Sequence, residues 1–388
     1  MLEVVFLIAV GIVAYTFLGY GLVIWFLVKL KSLFIENQKP GDFEFEPDVT
    51  LIVPCYNEAD IIEAKVLNSI GLDYPKDKLN IFFITDGSND NFKEVLLEYP
   101  QVKLLHDERR AGKTAAENRS MKFVESPIVV FTDANTILNK MAIRNIVRHF
   151  KDESVGCVSG EKRVLVEEED SASSAGEGMY WKYESFLKKM DSRLYSAVGA
   201  AGELVAFRSD LYQDLPEDTI LDDFMQSLLI ASEGYKIVYE PEAYAMETGS
   251  DSTGEELKRK VRISAGGWQS MKRLFFKITP LGNPVLFFQY LSHRVLRWTI
   301  TPFLLVLIFV LNFFLLDQHL IYQLIMVGQL FFYGAALLGY FLESRKLRIK
   351  LLFIPFYFSM MNYAVVAGLI RFLKGSQKST WEKAKRKS

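Results

Sequence analysis

Long apolar segments at both ends of this 388-residue chain constrain its fold more than any other feature. Residues 4–28 are apolar apart from two tyrosines and a threonine, and two lysines follow within three residues. A run of this length is sufficient to cross a bilayer. No basic residue precedes it and no small-residue cleavage site follows it, which favours a retained membrane helix over a cleaved signal peptide.

Further apolar segments lie near the C-terminus. Residues 300–316 and 320–342 are separated by three polar residues, which predicts a helical hairpin in the membrane. Residues 351–373 contain Pro355 and Asn362. This last segment therefore either crosses the membrane or forms a re-entrant or interfacial helix.

Basic residues predict which side of the membrane holds the middle of the chain. Lysines follow the first span, and Arg345, Lys346, Arg348 and Lys350 follow the third. By the positive-inside tendency, the middle is cytoplasmic in a multi-pass protein of the cell (inner) membrane. Four full spans would put the basic tail outside, which favours a re-entrant or interfacial last segment. The predicted organisation is an N-terminal transmembrane helix (1–31), a cytoplasmic domain (32–280), an interfacial helix (281–299), transmembrane or re-entrant helices (300–373) and a basic tail (374–388).

The middle of the chain alternates short β-rich runs with segments of helical spacing. This alternation predicts the α/β class, with a mostly parallel sheet covered on both faces. In such sheets, ligands bind beyond the carboxyl ends of the strands. The predicted strands are 50–53, 80–84, 102–105, 128–131 and 155–158, and the predicted helices lie near 60–70, 90–98, 113–124 and 139–150.

Charge and cysteine content argue against a nucleic-acid partner, a disulfide framework and a zinc site. The formal net charge of −2 gives no reason to expect nucleic acid as a partner. The two cysteines, Cys55 and Cys157, both fall in the predicted cytoplasmic region. They are too few for a disulfide framework or a zinc site.

Polar clusters follow the first four predicted strands, at residues 54–58, 85–88, 108–113 and 132–136. One polar turn at a strand end is weak evidence, because Asp-Gly and Asn-Glu are common in turns and caps. Four of them converging on one sheet edge indicate a binding site.

The last two of these clusters predict phosphate chemistry. Lys113 stands beside a glycine turn at a helix start, where charge and backbone donors can both meet a diphosphate. Asp133 and Asn135 lie on the same side of an extended chain, and their oxygens suit Mg²⁺ or Mn²⁺.

Two further pairs lie beyond these strands. Asp222 and Asp223 precede a helical run, where one carboxylate can cap the helix and the other can act as a general base. Arg259 and Arg262 are three residues apart in a helical stretch and face the same way. Arginine is well shaped to hold a diphosphate through paired hydrogen bonds, although a solvated face is the alternative.

The order of these motifs resembles the family 2 glycosyltransferases with a GT-A fold, over about residues 48–275. The similarity is greatest to the membrane-embedded branch that includes hyaluronan, cellulose and poly-N-acetylglucosamine synthases. The resemblance implies a GT-A, Rossmann-like domain flanked by transmembrane helices. It also implies metal-dependent, inverting transfer of a hexosyl or N-acetylhexosaminyl group from a UDP-sugar to a glycan or lipid-linked acceptor next to membrane lipid.

The resemblance also implies a role for each matching residue. Pro54, Tyr56, Asn57, Glu58 and Asp86 correspond to the nucleotide-binding residues, and Lys113 to the contact with the diphosphate or base. Asp133 and Asn135 correspond to the Asp-x-Asp motif that meets nucleotide and metal. Gly202 and Glu203, in the turn 199–203, correspond to an acceptor-facing turn. Asp222 and Asp223 match the Glu-Asp pair, with Asp223 as the general base, and Arg259 and Arg262 match the first and fourth positions of Gln/Arg-x-x-Arg-Trp.

Two departures from the family pattern affect what is expected of the site. Asn135 replaces the second aspartate of Asp-x-Asp, which predicts weaker metal affinity or a different ion preference. Ile263 replaces the tryptophan that follows Arg262 in polymerising synthases.

Three hypotheses follow: synthesis of an exopolysaccharide or cell-surface glycan, transfer of one sugar to a lipid carrier or glycolipid, and a transporter or sensor that only binds nucleotide-sugar.

Overall fold

The computed structural model describes residues 1–35, 43–165, 173–248, 252–344 and 349–377. Arg345, Lys346 and Arg348, on which the predicted orientation partly depends, lie outside the described residues. The same holds for the last 11 residues of the predicted basic tail, 378–388.

An eight-stranded mixed sheet forms the centre of the molecule, in the order β3-β2-β1-β4-β7-β6-β8-β5. The first four predicted strands are confirmed as β1 to β4, and all of their pairings with one another are parallel. The strands are β1 (Val49–Cys55), β2 (Leu79–Asp86), β3 (Lys103–Asp107), β4 (Ile128–Phe131), β5 (Ile137–Leu138), β6 (Val155–Leu165), β7 (Val205–Arg208) and β8 (Lys236–Thr248).

The predicted helices between these strands are also confirmed, although several are shorter than the sequence pattern indicates. The helices are α1 (Leu2–Ala14), α2 (Tyr20–Ser32), α3 (Ala59–Ile70), α4 (Phe92–Leu97), α5 (Lys113–Met121), α6 (Ala142–Val147), α7 (Ser173–Leu194), α8 (Asp222–Ser232), α9 (Thr253–Leu274), α10 (Pro284–Tyr290), α11 (Leu296–Trp298), α12 (Ile300–Leu315), α13 (Leu320–Ser344) and α14 (Lys350–Leu373).

Strand β1 shows why the sheet is covered on both faces. All seven of its residues are buried, as expected for a central parallel strand. Successive side chains of a strand point to opposite faces, so Leu51 and Val53 enter one hydrophobic core and Ile52 enters the other. The polar loops are thereby left at the carboxyl edge of the sheet.

The second half of the sheet differs from the simple alternating pattern. Strand β7 pairs antiparallel with both β4 and β6, while β6 runs parallel to β8 over most of its length. Strand β6 extends to residue 165, well past the predicted end at 158, because β8 supplies a long partner for it.

Among the residues that the structure describes, three helices are long and apolar enough to cross a membrane: Leu2–Ser32, Leu320–Glu343 and Leu351–Leu373. The first is continuous because a π-helical turn, Tyr15–Gly19, joins α1 to α2. Helix α12 has only 16 residues and reaches the length of a span only together with Pro284–Trp298, from which it is bent by 54°. The predicted independent span at 300–316 is therefore too short by itself.

Helix α14 packs along α9 as well as against α13. Leu257 of α9 contacts the aromatic cluster around Phe353 and Phe356. Further along, Gly368 approaches so closely that a Cβ there would lie 2.5 Å from the Ser264 side chain. Helix α14 thus contacts the helix that carries Arg259 and Arg262, and its predicted re-entrant or interfacial character stays a prediction.

A buried group of charged side chains, here called the junction cluster, joins segment 291–298 to α7. Glu184 lies between Arg294 and Arg297, at 2.7 and 2.8 Å. His293 bonds Asp191 through Nδ1 at 2.5 Å. The junction cluster is Glu184, Asp191, His293, Arg294 and Arg297. In the segment predicted as an interfacial helix, 281–299, His293, Arg294 and Arg297 are therefore buried against protein carboxylates.

Candidate functional site

The carboxyl ends of β1, β2 and β4 bring the polar loops together at one edge. Asp86 ends β2, and its carboxylate accepts hydrogen bonds from the backbone N–H groups of Ala111 and Gly112, at 2.9 and 2.7 Å. Gly112 has a φ of 103°, a conformation open to glycine but strained for other residues. Asp86 thus holds the glycine turn that begins α5 at Lys113.

Residues after β1 form the neighbouring wall. The Tyr56 ring lies under the guanidinium of Arg110, at 3.8 Å from its centroid. Asn57 links this loop to the one after β2, because its N–H donates to Ser88 Oγ and its Oδ1 accepts from Asn89. Arg110 was not among the predicted site residues. Its position shortly before Gly112 and Lys113 is the sequence feature that could have identified it.

Two other predicted donor-binding residues lie deeper. Pro54 is buried within β1, and Glu58 is buried at the start of α3. Their burial is more consistent with supporting the loop than with contacting a ligand directly.

Lys113 lies among carboxyl groups. Its ammonium is 2.9 Å from Asp133, 3.5 Å from Asp222 and 3.8 Å from Glu117. Glu117, one helical turn after Lys113, was not predicted. Burial and the neighbouring Asp222 raise its pKa well above the usual range of a glutamate. We call the group formed by Lys113, Glu117, Asp133, Asp222 and Asp223 the carboxylate cluster.

The two adjacent aspartates of α8 have opposite shifts in pKa. Burial and the charge of Asp222 raise the pKa of Asp223 to about 7. Burial also acts against ionisation of Asp222, but Lys113 and a hydrogen bond with Glu117 outweigh it and lower the pKa of Asp222. The environment therefore separates a neighbouring pair into a stable anion and a carboxyl that titrates near neutrality.

The glycine turn before β7 lies against this pair. A Cβ at Gly202 would lie 3.1 Å from Asp223 Oδ2 and 3.4 Å from Lys113 Nζ. Next in the chain, Glu203 accepts from Lys162 at 2.7 Å. Burial opposes the ionisation of Glu203, and Lys162 lowers its pKa in spite of this.

The arginines of α9 serve different neighbours. Burial lowers the pKa of Arg262. The nearby carboxylates of Asp222, Asp133 and Asp223 act in the opposite direction and favour its charged form. Arg259 forms two hydrogen bonds to Glu256, at 3.0 and 3.1 Å. Helix α9 therefore presents Arg262 to the carboxylate cluster and Arg259 to a separate ion pair.

Lys65 is a further site residue that sequence reasoning missed. It is fully buried on α3 beneath the loop 132–136. Burial lowers the pKa of Lys65 to about 7, opposed chiefly by Asp133. The three acceptors around its Nζ favour the ammonium form. In the sequence it looks like an ordinary polar residue of an amphipathic helix.

The metal ligands predicted from the sequence, Asp133 and Asn135, emerge together at the end of β4. Within the described ranges, no group of three His, Cys, Asp or Glu side chains is placed to hold an ion. Two protein oxygens still fit Mg²⁺ or Mn²⁺, because such ions are commonly bound by one or two carboxylates together with substrate phosphates and water. The pair therefore fits an ion that arrives with a diphosphate.

Comparison with known proteins agrees with this arrangement. The sequence model of the family described as "Glycosyltransferase like family 2" matches residues 47–266, more than half of the chain. The chain belongs to this family. All the predicted site residues lie within the matched region, and their individual roles stay predictions.

Curated relatives include poly-beta-1,6-N-acetyl-D-glucosamine synthases. That of Staphylococcus aureus (strain MSSA476) is 29% identical over 251 residues, which are 62% of this family 2 chain and 60% of the relative. That of Staphylococcus epidermidis is 24% identical over 285 residues, 70% of this chain and 68% of the relative. The match thus spans about 60% of the length of the S. aureus relative.

A solved structure confirms the fold. The mannosyltransferase of Pyrobaculum calidifontis, in complex with GDP-Man and Mn²⁺, has a TM-score of 0.73 and 22% sequence identity. The similarity covers 97% of this chain and 100% of that one. The predicted GT-A-like α/β domain with apolar helices at both ends is therefore confirmed.

Proposed function

We propose that this family 2 glycosyltransferase moves a sugar from a UDP-sugar to a hydroxyl of a growing exopolysaccharide, with inversion, at the cytoplasmic face of the cell membrane. Family membership and the names of the curated relatives support a glycan-synthesising enzyme. In this proposal, residues 32–280 form the cytoplasmic catalytic domain, and the apolar helices anchor it beside lipid.

Asp223 is the general base in this mechanism. It accepts the proton of the acceptor hydroxyl while the hydroxyl oxygen bonds to the anomeric carbon from the side opposite the diphosphate. The bond from that carbon to the diphosphate breaks, and the nucleoside diphosphate leaves with the electron pair. The observation that carries the proposal is the position of Asp223 against the turn at Gly202, where burial and the charge of Asp222 raise its pKa to about 7. A base with a pKa near the working pH is the most effective.

Cations around the site are suited to the departing diphosphate. Lys113 and Arg262 both lie beside carboxylates of the cluster, so their charges are already in place before the donor binds. Preorganised charge of this kind stabilises a transition state without reorganisation during the reaction. On the other side, the Tyr56 ring and Arg110 offer a stacking surface for the nucleotide base.

A divalent ion fits this proposal as a cofactor. Asp133 and Asn135 would hold Mg²⁺ or Mn²⁺, and the ion would neutralise charge on the diphosphate. Because one ligand is an amide, the protein contributes one negative charge fewer than an Asp-x-Asp motif would.

UDP-N-acetylglucosamine is the first donor to test, because the curated relatives are named for a polymer of this sugar. The alternative is transfer of one sugar to a lipid carrier or glycolipid. Ile263 favours this alternative, since it stands where polymerising synthases carry tryptophan. One of the aromatic rings that pack on α9 is that of Trp298, which would lie 2.3 Å from a Cβ at Gly267.

Release of nucleoside diphosphate by the purified, detergent-solubilised protein tests the proposal. UDP-glucose, UDP-N-acetylglucosamine, UDP-galactose and GDP-mannose are each supplied with Mg²⁺ or Mn²⁺. Turnover of a UDP-sugar to a long radiolabelled product supports the proposal, and a product of one added sugar supports the alternative. Binding of UDP-sugar without any turnover, as expected of a transporter or sensor, would overturn both.

A further inference from the structure

Lys65 is a cation that the proposed mechanism does not use, yet it lies directly under the loop that carries the predicted metal ligands. Its Nζ donates to Thr132 Oγ1 at 3.0 Å, to the Thr136 carbonyl oxygen at 2.8 Å and to Thr136 Oγ1 at 3.2 Å. Thr132 and Thr136 are the first and last residues of the loop. A single ammonium group therefore joins both ends of the segment that carries Asp133 and Asn135.

The hydroxyl groups of the loop extend this network of hydrogen bonds. Thr136 Oγ1 donates its one proton to the Asp133 carbonyl, at 2.8 Å. Thr132 Oγ1 donates its one proton to the Glu203 carbonyl, at 2.9 Å. The two hydroxyl oxygens also lie 3.0 Å apart. Because an ammonium group can only donate, both threonine oxygens accept from Lys65. The ammonium form has one proton for each of these three oxygens, whereas a neutral amine has only two protons.

The same network reaches the turn predicted to face the acceptor. Glu203, whose carbonyl binds Thr132, directly follows Gly202, and Gly202 lies against Asp223. A continuous path of hydrogen bonds thus runs from α3, through the loop after β4, to the turn before β7. Burying a cation is costly unless its hydrogen bonds are satisfied, and here they are.

We propose that Lys65 is a positioning residue that holds the loop 132–136 and the turn 199–203 in one fixed geometry. It acts through Thr132 and Thr136 and touches neither donor nor acceptor. The identity of the ligands rests on the proposed function, but the mechanical link between the two segments does not. Partners that orient metal ligands typically contribute 10- to 100-fold to affinity or activity.

The main test replaces Lys65 with methionine, which keeps the length and the packing of the side chain but has no donors. Hydrogen exchange of the intact, detergent-solubilised protein is followed by mass spectrometry. We expect exchange in both segments, 132–136 and 199–203, to accelerate about tenfold or more, with little change in the rest of α3. Ser69→Ala is the matched control, because Ser69 is buried on the same helix and its hydroxyl donates to the backbone carbonyl of Lys65.

A second measurement follows the free Mn²⁺ signal by electron paramagnetic resonance in the presence of UDP. Lys65→Met is expected to weaken Mn²⁺ binding roughly 10- to 100-fold. Turnover should fall through kcat, with a smaller change in the KM of the sugar donor. Lys65→Arg keeps the charge and the donors, and partial rescue is expected if donation to the loop is what matters.

Thr136→Val removes the contact of Lys65 to Thr136 Oγ1 from the loop side, and it remains informative if Lys65→Met does not fold. Its effect should not add to that of Lys65→Met in the double variant, because both remove one network. Thr136→Ser keeps the hydroxyl and should behave as the wild type.

Two outcomes would overturn the positioning role. One is unchanged exchange and Mn²⁺ affinity in Lys65→Met, and the other is faster exchange spread evenly over the sheet, as expected from lost packing alone. If the wild-type protein binds neither UDP nor Mn²⁺, the proposed function fails, and hydrogen exchange alone decides the role of Lys65.

Discussion

Two buried groups of charged side chains in this protein differ in how completely their charges are balanced. In the junction cluster, two arginines and a histidine surround two carboxylates, and the pKa of Glu184 is well below its usual range in spite of complete burial, because Arg294 and His293 outweigh desolvation. The carboxylate cluster instead places four carboxyl groups around Lys113, with Arg262 as a second cation beside them. There, burial and like charge raise the pKa values of Glu117 and Asp223.

This difference indicates where the molecule is built for stability and where it is built for chemistry. A balanced buried cluster keeps the Glu184 carboxylate ionised and fixes segment 291–298 against α7. An excess of carboxyl groups leaves at least one of them ready to take up or release a proton, which is typical of functional sites. The two clusters are also connected, since Arg294 donates to the Val198 carbonyl beside the glycine turn, at 3.1 Å.

Removing the proposed base should have the largest effect on activity. Asp223→Asn is expected to lower kcat roughly 10²- to 10⁴-fold, the usual contribution of a general base. At pH 8 the variant should unfold at the same or a higher temperature than the wild type. A carboxyl whose pKa is raised on folding costs stability above that pKa, and asparagine does not.

Nucleotide release and thermal unfolding of Asp223→Asn are measured beside Asp210→Asn, an exposed control. Full activity of Asp223→Asn in a protein that still binds UDP would contradict the role of this residue.

Breaking the junction cluster should mainly affect stability. Glu184→Ala leaves Arg294 and Arg297 buried without their shared carboxylate, which is expected to cost about 3–5 kcal/mol. Denaturant unfolding in detergent measures this loss against Glu153→Ala, an exposed control. The folded fraction should retain the proton-transfer chemistry at Asp223. If Glu184→Ala were as stable as the wild type but inactive, the junction cluster would serve activity and not stability. That result would contradict the distinction between the two clusters.

A smaller effect is expected from adding charge to the proposed metal site. Asn135→Asp supplies a second carboxylate, and ligand charge tunes the affinity for divalent ions. The concentration of Mn²⁺ that gives half-maximal activity should fall on the order of tenfold. An unchanged metal requirement would mean that residue 135 is an ordinary turn residue and not a ligand.

Local sequence patterns predict the first half of the fold and most of the site. Strands β1 to β4 are apolar runs that end in polar turns, so parallel pairing and a shared edge follow from elementary rules. Asp133, Lys113 and Asp223 were identifiable because each stands beside a strand end or a helix start.

Residues that matter only through tertiary contacts could not be predicted in this way. Lys65 and Glu117 look like ordinary polar residues of helices, and only packing reveals what surrounds them. His293 and Arg294 precede an apolar segment, a pattern typical of a membrane surface. Their carboxylate partners on α7 are about 100 residues away in the chain, so the sequence gives no local sign that they are buried.

The acid limb of the pH profile tests the central claim, that the unbalanced carboxylate cluster supplies the base. Because Asp223 must be ionised to accept a proton and its pKa is about 7, kcat/KM for sugar transfer should fall with decreasing pH below about 7. The expected slope approaches tenfold per pH unit, and the residual activity of Asp223→Asn should lack this limb. A wild-type profile that stays flat between about pH 5.5 and 7.5, or a limb that persists in Asp223→Asn, would contradict the account.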